Sequence, residues 1–172
     1  MPAHHAEFLM DAYQAIVTKR DTRNYASTPI SDEVLHRILM AGRMAGSSKN
    51  SQPARFIVLR DRQHLVELAA CGDFSTHLPS AALAIAVVLE PNGGQLDAGR
   101  AAQNIMVAAW AEGITSCPTS MHRPNDARAV LGLPEGYAVA IILPLGYPAE
   151  GASLHAGRPR LPLDEYVHWE RW

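Results

Sequence analysis

Continuous apolar runs alternate along this chain with stretches in which apolar residues recur every three or four positions. Such a pattern predicts buried strands interleaved with amphipathic helices. Phe8, Leu9, Tyr13, Ile16 and Val17 have helical spacing over 7–17, and this helix is expected to end between Thr18 and Asp21. The next helix has a clear start: Ser31 is suited to cap it, Pro29 restrains the approach, and Val34, Leu35, Ile38 and Leu39 supply a buried face. Gly42 and Gly46 loosen its end. Phe56 to Leu59 reads as a short buried strand, followed by a helix over 62–70. Residues 81–89 are nearly all apolar, as expected of a strand covered on both faces. Pro91-Asn92-Gly93-Gly94 separates that strand from a long Ala-rich helix over 95–112, which Gly113 ends. Strands are expected again at 114–116 and 138–145, with a short helix over 124–131, halted by Gly132 and Pro134, between them. Pro144 predicts an edge or a bulge in the last strand.

This alternation runs across the chain of 172 residues with no linker or internal repeat, which suits a single domain, 1–172, built as an α+β or α/β sandwich. The end of the chain departs from the pattern. Gly, Arg and Pro dominate 151–162, and Leu163, Tyr166, Val167, Trp169 and Trp172 then form an aromatic terminus. Apolar aromatic groups gain by leaving water, so 151–172 is expected to be a C-terminal extension packed on its own core or on a partner subunit.

Fifteen basic against seventeen acidic residues give a net charge of −2, so no general field draws the protein to nucleic acid or to an anionic membrane, and any anion site must be local. The N-terminus has no signal-peptide pattern and no apolar run is long enough to span a bilayer, which makes the cytoplasm the expected compartment. Cys71 and Cys117 are too few and too far apart for a disulfide framework and read as buried or half-buried thiols. His4, His5, His64, His77, His155 and His168 have no compact ligand spacing, and no metal is expected.

Four segments carry candidate chemistry. Lys19-Arg20-Asp21-Thr22-Arg23 places two guanidinium forks and a hydroxyl at a helix end, a set suited to phosphate oxygens. The plain alternative is a solvated helix end in which Arg23 pairs with Asp21 or Glu33. Ser47-Ser48-Lys49-Asn50-Ser51-Gln52-Pro53 packs hydroxyl, amide and cationic groups into one turn, which an ordinary Asx- or Ser-stabilised loop also explains. Gly113 to His122 is a polar stretch containing Thr115, Ser116 and Cys117; His122 at its end reads as a surface histidine. Arg158 and Arg160 flank Pro159 in the tail, where a solvated arginine loop is the alternative. Gln103 and Asn104 in the long helix cannot both enter a dry core without partners.

Taken in order from about residue 11 to the end, these segments resemble the nitroreductase family of flavoproteins. The likeness rests on Arg20, Thr22, Arg23 and Tyr25, on the serine-rich turn before Asn50-Ser51-Gln52-Pro53, on Gln103-Asn104, and on Arg158 and Arg160. Ala54 stands where the family has an aromatic residue, with Phe56 two positions later, and Asp21 stands where a basic residue or histidine is common.

The resemblance implies an α+β fold with a mostly antiparallel central sheet flanked by helices, in a homodimer that binds FMN between subunits. It implies that Arg20 and Thr22 touch the FMN phosphate, assisted by Arg23, Arg158 and Arg160, with Asp21 beside them but turned away. Ser47, Ser48, Asn50 and Gln52 would line the flavin, and Thr115, Ser116 and Cys117 would pass along its N5–O4 edge. NADPH or NADH would deliver hydride to N5, leave, and be replaced by a small-molecule acceptor such as a nitroaromatic or quinone. No amino-acid nucleophile is implied, because the cofactor carries the chemistry. In the same family, an ene-reductase or dehalogenase is the rival. Outside it, the rivals are a nonenzymatic flavin-binding or regulatory protein and a cofactor-free interaction module. Gly99, Ala102 and Ala109 are small enough to admit close approach by another helix; a plain core helix explains them equally well, and a role for them in the dimer rests on the resemblance.

Overall fold

A computed structural model describes residues 10–154 and 158–172. Its centre is a four-stranded sheet in the order β1-β2-β4-β3, formed by β1 (Ala54–Leu59), β2 (Leu83–Leu89), β3 (Thr115–Ser116) and β4 (Ala138–Gly146). Every ladder between these strands is antiparallel. Strand β2 is buried along its whole length because helices cover both of its faces. Its odd-numbered residues Leu83, Ile85, Val87 and Leu89 share one core with α2 (Asp32–Arg43) and α4 (Gln95–Ala111). Its even-numbered residues Ala84, Ala86 and Val88 share the other with α3 (Arg62–Ala69) and α5 (Pro124–Val130). The period-two alternation of a strand therefore sorts one apolar run into two cores.

Local chemistry places the helices. Ser31 Oγ accepts from the Val34 amide at 3.3 Å, capping α2 as expected. Asp61 caps α3 in the same way, through the His64 amide at 3.0 Å. Gly42 lets α2 approach α4: a Cβ there would lie 2.6 Å from Ile105 Cγ1. Gly113 closes α4 with φ +74°, where a side chain would be strained. At that end Arg37 of α2 bridges Glu33 and Glu112, and its hydrogen bond holds the Glu112 carboxyl below the usual carboxylate range.

The structure narrows several expectations. Pro144 sits inside the sheet, opposite Ala84 on β2, and the bulge falls at Ala140 instead, where the register shifts between Val87 and Val88. The proline is tolerated because the β3 side has no paired partner at that position. Ala102 and Ala109 face their own core, which leaves Gly99 alone of the three on an open helix surface. The first helix, α1 (Ala12–Thr18), buries only Ala15; Tyr13, Ile16 and Val17 are exposed in the single chain, and Phe8 and Leu9 lie outside the described residues. The tail, which includes α6 (Leu163–Tyr166), is exposed throughout 158–172, with Trp169 84% and Trp172 100% accessible. Among the described residues no helix is long and apolar enough to cross a membrane.

Candidate functional site

The predicted site residues fall into three groups. The first gathers at the C-terminal end of α4. Trp110 Nε1 donates to Thr18 Oγ1 at 3.0 Å, which ties the end of α1 to that helix. The chain then runs onto the sheet edge: the Thr22 amide donates to Ser116 O at 3.3 Å, Asp21 bridges Ser116, and Tyr25 bridges Pro148. Tyr25 packs its ring on Gly146, where a Cβ would come within 3.0 Å of it. Segments 20–25 and 115–117, separated by some ninety positions in sequence, are thus neighbours.

Within this group each polar atom has a definite assignment. Arg20 Nη1 donates to the Val17 and Lys19 carbonyls at 3.1 and 2.7 Å, capping α1 and leaving Nε and Nη2 as an open fork edge. Asp21 is ion-paired with Lys19, so its charge is engaged away from the arginines. Among the described residues Arg23 makes no ion pair, whereas Glu33 pairs with Arg37, so the pairing alternative for Arg23 is not what the structure contains. Thr22 is buried, and its Oγ1 accepts from the Asn24 amide at 3.3 Å, which leaves the hydroxyl proton to donate. Thr115 Oγ1 donates into the sheet, to Gly146 O at 2.9 Å, while the buried Ser116 Oγ has no partner in the protein. Cys117 is half-buried. Burial, then the Cys117 thiol and Asp21, push the Tyr25 phenol well above its ordinary range, so it remains a neutral donor.

The second group lies at the opposite end of α4. Residues 47–53 pass beside its first turns, where Arg100 lies over Gly46 and Pro53 approaches Gly93. Ser47 Oγ accepts from the Gln52 amide at 2.8 Å, and the Ser48, Lys49, Asn50 and Gln52 side chains face solvent. Lys49, Asn50 and Gln52 all have φ between 50 and 55°, in the left-handed region that costs side-chain-bearing residues free energy. Such conformations cluster at functional sites. Ser47 and Gln52 rim a cavity of about 430 Å³ whose walls include Leu39, Met40, Phe56 and Val58. Thirteen helical steps separate Asp97, on this cavity, from Trp110 at the first group, roughly 20 Å at the α-helical rise.

Arg158 and Arg160, the third group, are exposed in the tail, and no hydrogen bond or ion pair among the described residues joins them to either end. Gln103 and Asn104 are both exposed, which resolves their burial problem; Asn104 Nδ2 donates to Ala41 O at 3.1 Å. His122 is at the surface, its Nδ1 accepting from the Asp73 amide at 3.1 Å. Among the described residues no three His, Cys, Asp or Glu side chains are grouped to hold a metal, and His4, His5 and His155 lie outside those residues. Sequence reasoning missed one buried polar residue at the first group: His77, whose Nε2 meets Cys117 O at 3.1 Å. A histidine before Leu78-Pro79 gives no signal of that contact in sequence.

A family model described as the nitroreductase family matches residues 16–86 and 74–147. The chain belongs to the nitroreductase family. A protein of Archaeoglobus fulgidus, provisionally named NADH dehydrogenase/NAD(P)H nitroreductase, is 33% identical over 94% of this chain and 99% of its own. Among solved structures, the Vibrio harveyi NADPH:FMN oxidoreductase complexed with NAD⁺ superposes with a TM-score of 0.85 at 26% identity, covering 94% of this chain and 77% of that one. An FMN-dependent nitroreductase of Clostridium difficile gives 0.79 at 26% identity, over 90% and 96% of the two chains. The antiparallel sheet between two helical layers is the fold that the resemblance implied for this nitroreductase-family chain.

Proposed function

We propose that this nitroreductase-family chain is an FMN-dependent NAD(P)H oxidoreductase working as a homodimer. The observation that carries the reading is the division of its polar groups between the two ends of α4. The arginine segment and the strained turn lie roughly 20 Å apart along one helix. A two-fold partner that set its own turn against the arginine end would assemble one complete site from two incomplete halves, twice over. The exposed apolar surface of α1, Leu96 at the start of α4, and the aromatic tail are the material from which such an interface is made.

The donor set suits FMN. Arg20 offers the free edge of its fork, Arg23 is unpaired among the described residues, Thr22 keeps a hydroxyl proton, and the nearest carboxylate, Asp21, is occupied by Lys19. Arg20, Thr22 and Arg23, joined by Arg158 and Arg160 from the tail, would hold the phosphate, with Asp21 beside them turned to Lys19. Ser47, Ser48, Asn50 and Gln52 of the partner copy would face the ring and ribityl chain with neutral donors and acceptors. The 115–117 backbone and the Cys117 side chain would border the ring, because Thr115 and Ser116 turn their own side chains inward. When bound, FMN supplies the hydride acceptance and donation that no side chain here can provide. The protein's part is to bind and orient it and to keep one face open for NADPH or NADH and then for a nitroaromatic, quinone or similar acceptor.

Mixing two defective variants tests the shared site. Arg20→Ala leaves its own turn intact, and Asn50→Ala leaves its own arginines intact, so a heterodimer of the two contains one fully native site and one doubly altered site. FMN uptake and NAD(P)H oxidation should be low in each variant alone and rise after exchange of an equal mixture toward about one quarter of the native value, since half of the dimers are then mixed and each of those holds one native site. Activity that stays at the mean of the two variants would count against a site shared between subunits.

A further inference from the structure

The ladder between β3 and β4 is interrupted at Cys117 and Pro118, and side chains stand in the gap. The Thr119–Ile142 bridge continues the register of Thr115–Gly146 and Ser116–Leu145, which sets Cys117 opposite Pro144. Thr119 and Ile142 exchange both backbone hydrogen bonds, at 2.9 and 3.0 Å. Antiparallel alternation puts the next exchanging pair two residues along, at Cys117 and Pro144. Pro144 has no N–H to give, so the Cys117 carbonyl loses its ladder donor between two buried neighbours, Ser116 and Thr119. An unmet carbonyl in that position is costly.

Two side chains fill the gap. His77 Nε2 lies 3.1 Å from Cys117 O, and Tyr25 Oη donates to Pro144 O at 3.5 Å with the Cys117 amide beside the same hydroxyl. His77 is 7% exposed and arrives from a separate loop that runs along 117–122. That loop is anchored where the Asp73 amide meets His122 Nδ1 at 3.1 Å and where Gly72 packs under Ser120 O. A carbonyl only accepts, so the contact with Cys117 O is a hydrogen bond when Nε2 carries the imidazole proton; the Phe74 carbonyl is the other backbone acceptor beside the ring.

We infer that His77 is a positioning residue whose Nε2–H replaces the ladder donor that Pro144 lacks, orienting the Cys117 peptide in the segment proposed to border the flavin. The hydrogen-bond half of this inference stands on the fold alone; the flavin half rests on the proposed function. A histidine that merely filled core space would be needed for its volume, whereas a positioning histidine is needed for its donor. His77→Phe keeps bulk and removes the donor, and His77→Gln supplies an amide donor in a smaller side chain.

Amide exchange followed by NMR on the FMN-free protein reads the first half. His77→Phe should speed exchange of the Ser116, Cys117 and Thr119 amides at least tenfold while β2 amides keep native rates, and His77→Gln should restore most of the protection. Unchanged rates at 116–119, or rates raised equally through β2, would overturn the assignment. The visible spectrum, affinity and midpoint potential of FMN added to the same proteins read the second half. His77→Phe should weaken FMN at least threefold or shift its potential, with rescue by Gln. Local exchange changes beside native affinity and potential would overturn the flavin role alone, and a wild-type protein that takes up no FMN would overturn the proposed function while leaving the exchange result decisive for the hydrogen bond.

Discussion

The two ends of α4 hold their polar groups in opposite ways. At the C-terminal end the 20–25 segment is sewn to the sheet edge by backbone bridges, and the Thr115, Tyr25 and His77 side chains add contacts to backbone carbonyls there. At the N-terminal end the 47–52 turn bonds mainly to itself, points its amides and hydroxyls at solvent, and keeps three residues in left-handed conformations. One end is a scaffold with a few free cationic edges; the other stores strain in a loop whose polar groups the chain leaves largely unsatisfied. A protein that divides its chemistry in this way can place charge from the end built on the sheet and neutral polar contacts from an exposed loop.

The largest expected effect lies at the end built on the sheet. Arg20→Ala removes the fork proposed to hold the FMN phosphate; charged hydrogen bonds of that kind are worth about 1.5–3 kcal/mol, so the expected loss is roughly 10- to 150-fold in FMN affinity. The same change uncaps α1, so circular dichroism and a urea midpoint must accompany the flavin titration. Near-native midpoint with weakened FMN places the effect in the anion contacts. Native affinity in the folded variant would remove Arg20 from the phosphate site and erase the functional side of the contrast.

How much of this was legible in the sequence also differs between the regions. Strand β2 could be read directly, because a seven-residue apolar run has no other economical burial than between two helical layers. Ser31 announced its helix through local chemistry, and the structure contains that cap. Pro144 gave part of the picture: β4 does carry a bulge, but at Ala140, and what lies opposite the proline is set by β3, far away in sequence, which local propensity cannot see. Ala102 and Ala109 left two readings open in sequence, and the structure takes the plain core one, since a helix with small residues on several faces does not declare which face meets the core. At the candidate site the residue types at both ends were legible, but their separation along α4 was not, because it follows from packing rather than from spacing.

A smaller effect concerns pH and again belongs to the end built on the sheet. Burial lowers the His77 pKa from its ordinary value of 6.5, and the nearby Arg23 charge acts in the same direction, against the hydrogen bonds to backbone carbonyls. The unfolded chain therefore takes up this proton before the folded chain does. Stability should be unaffected by His77 above pH 6.5 and should fall as pH drops from 6.5 toward the depressed folded value, with a slope of at most one proton. Urea midpoints across this range should show the slope in the native protein and a reduced slope in His77→Gln. An identical slope in both would assign the acid sensitivity to other groups.

The smallest effect tests whether the turn stores strain. Lys49 has φ 52°, a conformation that costs an L-residue about 1–2 kcal/mol and glycine almost nothing. Lys49→Gly relieves that cost but also gives the unfolded chain more freedom, worth about 0.4–1 kcal/mol in the opposite direction. The net result should be a gain of about 0.5 kcal/mol, seen as a slightly higher urea midpoint with an unchanged denaturant slope. If the strained geometry presents Asn50 and Ser48 to a neighbouring flavin, the same variant should bind FMN more weakly even as the chain becomes more stable, since a relaxed turn must be ordered again on binding. A variant that is less stable than the native chain would mean that the left-handed backbone is held by favourable contacts instead of being paid for elsewhere, and the contrast between a satisfied end and a strained one would fail at this residue.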